Sequence, residues 1–208
     1  MGRVLARLGL GGLIVLLAFV IGCGGDDEES SSGGDTTAAE ETPAEDTTAE
    51  AEEPKPITEE DFAKEADALC ATRTKDIAKV LAEDGANQET AVSEKTLASP
   101  EALEEATAEV GKTTDELADI KREITKELAK LETPDPKGLD DLVASRNQAA
   151  DDLNKLADAW RTYGKNPTQE TSDAVSESQE ANIKSATADR KVAEKLGLKV
   201  CGQPVKPA

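Results

Sequence analysis

From residue 57 onward the apolar residues recur three and four positions apart, the stagger that lines up side chains on one face of an α-helix. A first helix is expected after Thr58, an N-cap followed by Glu59, Glu60 and Asp61 at the positive end of the helix dipole. Its seam is Phe62, Ala66, Leu69, Ile77 and Val80. Residues 85–98 lack the pattern and are expected to form the loosest connection. Ser99 then offers a second N-cap, with Pro100 at the first helical position where a missing N–H costs nothing. The stripe that follows is Leu103, Ala106, Val110, Thr113, Leu117, Ile120, Ile124, Leu128 and Leu131.

Thr133-Pro134-Asp135-Pro136 ends that segment, because proline lacks a donor and restricts the residue before it. A third helix is expected to carry Leu139, Leu142, Arg146, Ala149, Leu153, Leu156, Trp160 and Tyr163 up to the break at Gly164 to Pro167. The fourth has a weak, polar-rich seam of Val175, Ser178, Asn182, Ser185, Asp189, Val192 and Leu196, with Gly197 as its cap. Helices of roughly 27 to 34 residues with short second and third connections imply antiparallel neighbours. The expected fold is all-α: an antiparallel up-down-up-down four-helix bundle over residues 57–203, with 204–208 as a C-terminal tail.

Composition pulls the other way. The 208 residues include only 39 Leu, Ile, Val and Phe, and the net charge is −20, a combination typical of disordered chains. Sustained 3-and-4 periodicity from residue 57 defeats that reading for the C-terminal part, since acidic low-complexity chains do not keep such a stagger. Residues 24–56 have no such defence. They hold 12 acidic residues, one base (Lys55) and no Leu, Ile, Val or Phe, so they cannot bury enough apolar surface to offset the entropy of ordering. They are expected to be a flexible acidic linker spanning roughly 30 Å, more with charge repulsion.

The N-terminus differs again. Arg3 and Arg7 precede the apolar run Leu8 to Ile21, and small residues follow at Gly22, Cys23, Gly24 and Gly25. This is the layout of an export signal, residues 1–22, and the run is short of the roughly 20 apolar residues that a spanning helix needs. An uncleaved membrane anchor is the other reading. Val20-Ile21-Gly22-Cys23 resembles the lipobox of bacterial lipoproteins. The resemblance implies that Cys23 receives a diacylglyceryl group and becomes the first mature residue, with the lipid bilayer as its partner. Two acyl chains anchor stably where one is marginal. The mature chain would then comprise residues 23–56, the lipidated Cys and linker, and the helical domain. It would lie in the cell envelope, on the extracytoplasmic face of the membrane.

An exported chain meets oxidising conditions, so Cys70, early on the first helix, and Cys201, just after the fourth, are expected to form a disulfide. An up-down-up-down bundle brings both to one end. Two separate thiols, or a metal pair, are the rival readings. The segments Phe62 with Ala66-Asp67-Ala68-Leu69-Cys70, and Leu196-Gly197-Leu198 with Cys201-Gly202, are similar to a loose group of helical envelope lipoproteins. That resemblance supports the bundle and the disulfide and brings no activity with it.

Histidine is absent from the chain, and with it imidazole-based acid–base catalysis and imidazole metal ligation. A charge of −20 without a basic, aromatic-interleaved patch excludes nucleic acid. Asp84-Gly85-Ala86-Asn87 and Asp135 to Asp141 lack the alternating ligands of a calcium loop. No cofactor, metal or catalytic residue is therefore expected. Arg146 and Asp189 stand at facing seam positions and would pair across the bundle, either fixing register or, with Ser178, Asn182 and Ser185, lining a small polar pocket. Trp160 and Tyr163 are core residues or an exposed contact pair. The expected role is a non-enzymatic interaction or structural module, partnered by another envelope protein. The alternative is a small-solute or cation-binding lipoprotein serving a membrane partner.

Overall fold

A computed structural model describes residues 56–207. The expected signal peptide, Cys23 and all of the linker but Pro56 lie outside the described residues. Within them the fold is all-helical: α1 (Glu59–Ala91), α2 (Glu94–Leu97), α3 (Pro100–Leu128), α4 (Pro136–Lys165) and α5 (Gln169–Lys195). No strand occurs among the described residues, and no helix there is long and apolar enough to cross a membrane.

Each long helix starts where a side chain satisfies the free N–H groups of its first turn. Thr58 accepts from the Asp61 amide at 3.1 Å while Asp61 reaches back to the Thr58 amide, a capping box. Ser99 accepts from Ala102, Asp135 from Gly138 and Thr168 from Thr171. α5 ends in a Schellman motif. Gly197 adopts φ of 74°, its amide donates to Glu194 O, and Leu198 donates to Ala193 O. A side chain at 197 would be strained in that left-handed conformation.

The first connection differs from expectation. Helix α1 runs on through Gly85 to Ala91, and Ser93 then caps the single turn of α2. The seam of α1 continues past Val80 as Asp84 and Ala91, both buried. Neither residue registers as apolar periodicity, because one is charged and the other small. The domain thus has five helices where four were expected, with α2 lying on α3 and α1.

Helix α3 packs against α4, α4 against α5, and α1 against α3. Glycine at 164 lets α4 approach α3 closely: a Cβ there would collide with the Thr107 side chain and come within 3.2 Å of Glu104 Cα. The apolar interior is divided in two. One cluster joins Phe62, Ala66, Cys70, Ile124, Leu128, Leu139, Leu142, Ala193 and Leu198, and the other joins Ala91, Val110, Leu156, Trp160 and Val175. Much of the buried surface is alanine, including Ala66, Ala118, Ala149, Ala150, Ala157 and Ala193. Such a core brings helices close but yields less per residue than the roughly 1.5–3 kcal/mol of a fully buried Leu or Phe. Between the two clusters polar residues are buried alongside Ala118, Ala149 and Ala150.

Candidate functional site

That polar midsection is built around Asp189 of α5, which is buried together with Arg146 of α4. Arg146 Nε stands 3.4 Å from Asp189 Oδ1, so the two seam positions are brought together as a pair. Lys121 of α3 donates to Asp189 Oδ2 at 2.8 Å, and Ser145 Oγ lies 3.4 Å from Oδ1. Arg146 also donates through Nη2 to the Cys201 carbonyl at 2.8 Å, while its Nε is buried without a hydrogen-bond acceptor. Two cations thus share one carboxylate. Burial pushes the Lys121 ammonium below its ordinary range, Asp189 pulls it back up, and Arg146 adds a further push down. Burial likewise lowers the Arg146 guanidinium against the pull of Asp189.

Two further carboxylates, Asp84 and Asp152, are buried in the domain. Asp84 of α1 accepts from Thr113 Oγ1 at 2.7 Å, Thr114 Oγ1 at 3.0 Å and Gln88 Nε2 at 2.6 Å. Every donor is neutral, so desolvation dominates and raises the carboxyl above its ordinary value, against the three hydrogen bonds. Asp152 of α4 is the contrasting case. Burial alone would raise it, but Lys155 and Gln148 donate to its Oδ1 at 2.8 and 3.0 Å and the net shift is downward.

Of the polar stretch expected on α5, Ser185 and Asp189 are buried, whereas Ser178 and Asn182 are half-buried. Ser185 donates to the Asn182 carbonyl within its own helix. A cleft of about 640 Å³ lies elsewhere, between the start of α1, the α3–α4 turn and the end of α5. Five carboxylates and three lysines line it, together with Phe62 and Leu196. Trp160 is buried and meets the half-buried Tyr163 edge to face, ring centroids 6.4 Å apart, within the second apolar cluster. Among the described residues no group of three or more His, Cys, Asp or Glu could hold a metal ion.

Cys70 and Cys201 stand at disulfide distance, their Cα atoms 5.3 Å apart across 131 residues of chain. Residues 197–202 form a hook that carries Cys201 from the end of α5 back to α1. Asp67, one turn before Cys70, accepts from the amides of Lys199 and Val200 at 2.8 Å and of Cys201 at 3.0 Å. Neither Asp67 nor Lys121 is prominent in the sequence. Lys121 belongs to a stripe of Thr107, Thr114, Ala118, Thr125 and Leu128 on α3. Its spacing of seven, four, three, four and three would have revealed it had small and hydroxyl residues been counted as interior. Comparison with family models, with curated proteins and with solved structures finds no match to this chain.

Proposed function

We propose that this is an exported lipoprotein, anchored through acylated Cys23 and held off the membrane by the acidic linker 24–56. Its helical domain acts as a non-enzymatic interaction or structural module of the cell envelope. The arrangement we favour for the four long helices is the antiparallel up-down-up-down bundle, in line with the short α3–α4 and α4–α5 connections and the packing of α3 on α4 and α4 on α5. The observation that carries the reading is the Cys70–Cys201 pair at bonding distance. Such pairs persist in oxidising compartments and are rare in the cytosol, which agrees with the signal and the lipobox. The packed Lys121–Arg146–Asp189 cluster favours a register-fixing role over a ligand pocket, since none of its three residues lines the cleft beside α1. Small-solute or cation binding, the second reading, rests instead on the carboxylate-lined cleft beside α1.

The test is the intact mass of the protein taken from its native membrane, with and without reductant and a thiol-blocking reagent. A chain beginning at diacylated Cys23, with two thiols that react only after reduction, is the expected result. A full-length unacylated chain, or two thiols reactive at once, would overturn the proposal.

A further inference from the structure

The hook at residues 197–202 is held by more than the sulfur pair. Its three consecutive amides at 199, 200 and 201 converge on the single carboxylate of Asp67. Its carbonyl at 201 receives the Arg146 guanidinium at 2.8 Å. Cys201 is therefore clamped at both its N–H and its C=O, and both clamping side chains are charged. Charge-assisted hydrogen bonds are roughly twice as strong as neutral ones. Leu198, between the Schellman turn and these amides, is buried in the same apolar cluster as Cys70 and Ala66. Asp67 and Cys70 sit three residues apart on α1, so one helix face presents both the clamp and the thiol.

We infer that the hook docks without the covalent bond, and that Asp67 is a positioning residue that delivers Cys201 to Cys70 before oxidation. Fixing Cys201 at both backbone groups confines its sulfur to a small volume beside Cys70. Two thiols held this way behave as an intramolecular pair of high effective concentration. The reaction that reports it is exchange with glutathione: the protein disulfide and two glutathione thiols give two protein thiols and one glutathione disulfide, two electrons passing from glutathione to protein. Clamping lowers the entropy lost on closing the bond and shifts this equilibrium toward the closed form. Asp67 touches neither sulfur in this scheme; its carboxylate acts on the backbone of the hook.

Two measurements test the inference on the helical domain within its full mature chain. In the Cys70→Ser, Cys201→Ser double variant, amide hydrogen exchange at positions 199, 200 and 201 is expected to remain slowed at least tenfold relative to an unstructured chain. Adding Asp67→Ala should abolish that protection while leaving the helical circular dichroism unchanged. Exchange at the unprotected rate in the double variant would overturn the inference. In redox buffers, Asp67→Asn with both cysteines present should raise the equilibrium constant of this reaction, protein disulfide to protein dithiol, tenfold or more. An unchanged constant in a variant with native helicity would equally overturn it. Both readouts are independent of acylation and location, so they stand or fall apart from the lipoprotein reading.

Discussion

Replacing Asp189 by Asn tests the polar midsection most directly. The substitution preserves shape but leaves the Lys121 and Arg146 cations facing one another without their shared carboxylate, which now lies 2.8 Å from Lys121 Nζ and 3.4 Å from Arg146 Nε. Breaking a buried ion pair by removing one partner costs about 3–5 kcal/mol, because a buried charge is left uncompensated. The Arg146 side chain is 5% exposed and has no route to water, whereas Lys121 is 23% exposed and can swing its ammonium outward. That relief places the expected loss near the low end, about 3 kcal/mol. With a urea slope of about 2 kcal/mol per molar, the unfolding midpoint followed by circular dichroism should fall by roughly 1.5 M. A triple variant, Lys121→Met, Arg146→Met and Asp189→Leu, should recover most of the loss, since well-packed apolar replacements of buried ionic groups are often neutral or stabilising. A midpoint shift under roughly 0.3 M for Asp189→Asn, or a triple variant as unstable as the single one, would refute the idea that these three charges form one coupled, desolvated unit.

Two other substitutions probe different layers of the fold. Asp84 has its folded carboxyl raised above the ordinary 3.8, so the folded chain holds that proton to higher pH than the unfolded chain does. Its stabilising contribution is complete below 3.8 and is lost as pH rises through the raised value. The stability of the native protein minus that of Asp84→Asn should therefore decline between pH 3.5 and 7 in urea titrations; a difference independent of pH would contradict this. Gly164→Ala pushes a methyl group into Thr107 at the α3–α4 contact. It should cost about 1–3 kcal/mol, seen as a melting temperature lower by roughly 3–10 °C, and an unchanged melting temperature would show that the helices approach less closely than described.

How much of this could be read from the sequence depends on distance along the chain. Capping residues and breaks are local, so Thr58, Ser99 with Pro100, the Thr133–Pro136 turn and Gly197 marked helix ends that the structure bears out. The pairing of Arg146 with Asp189 was also legible, because both stand on the interior seam at matching distances from the α4–α5 turn. Lys121 was not, since the interior stripe leading up to it on α3 is Thr107, Thr114 and Ala118 rather than Leu or Ile. Residues 85–98 look like a loose connection in the sequence for a related reason. The helix there is held inward by a buried carboxylate meeting two threonine hydroxyls, a contact across 29 and 30 residues that apolar periodicity does not encode. The Asp67 clamp spans 132 to 134 residues and left no local trace at all.

Closing the Cys70–Cys201 pair into a disulfide would also decide how the domain bears a mechanical load applied between its two ends. From Pro56 a pull would meet the bridge after 14 residues, with everything from Cys70 to Cys201 enclosed in one loop. Traction could then peel away only the first turns of α1, a length of about 50 Å when fully extended. Beyond that the force would pass across the sulfur bridge into the hook at the end of α5, bypassing α3 and α4. The bridge would work as a stop on unravelling, with the central helix pair out of the line of tension.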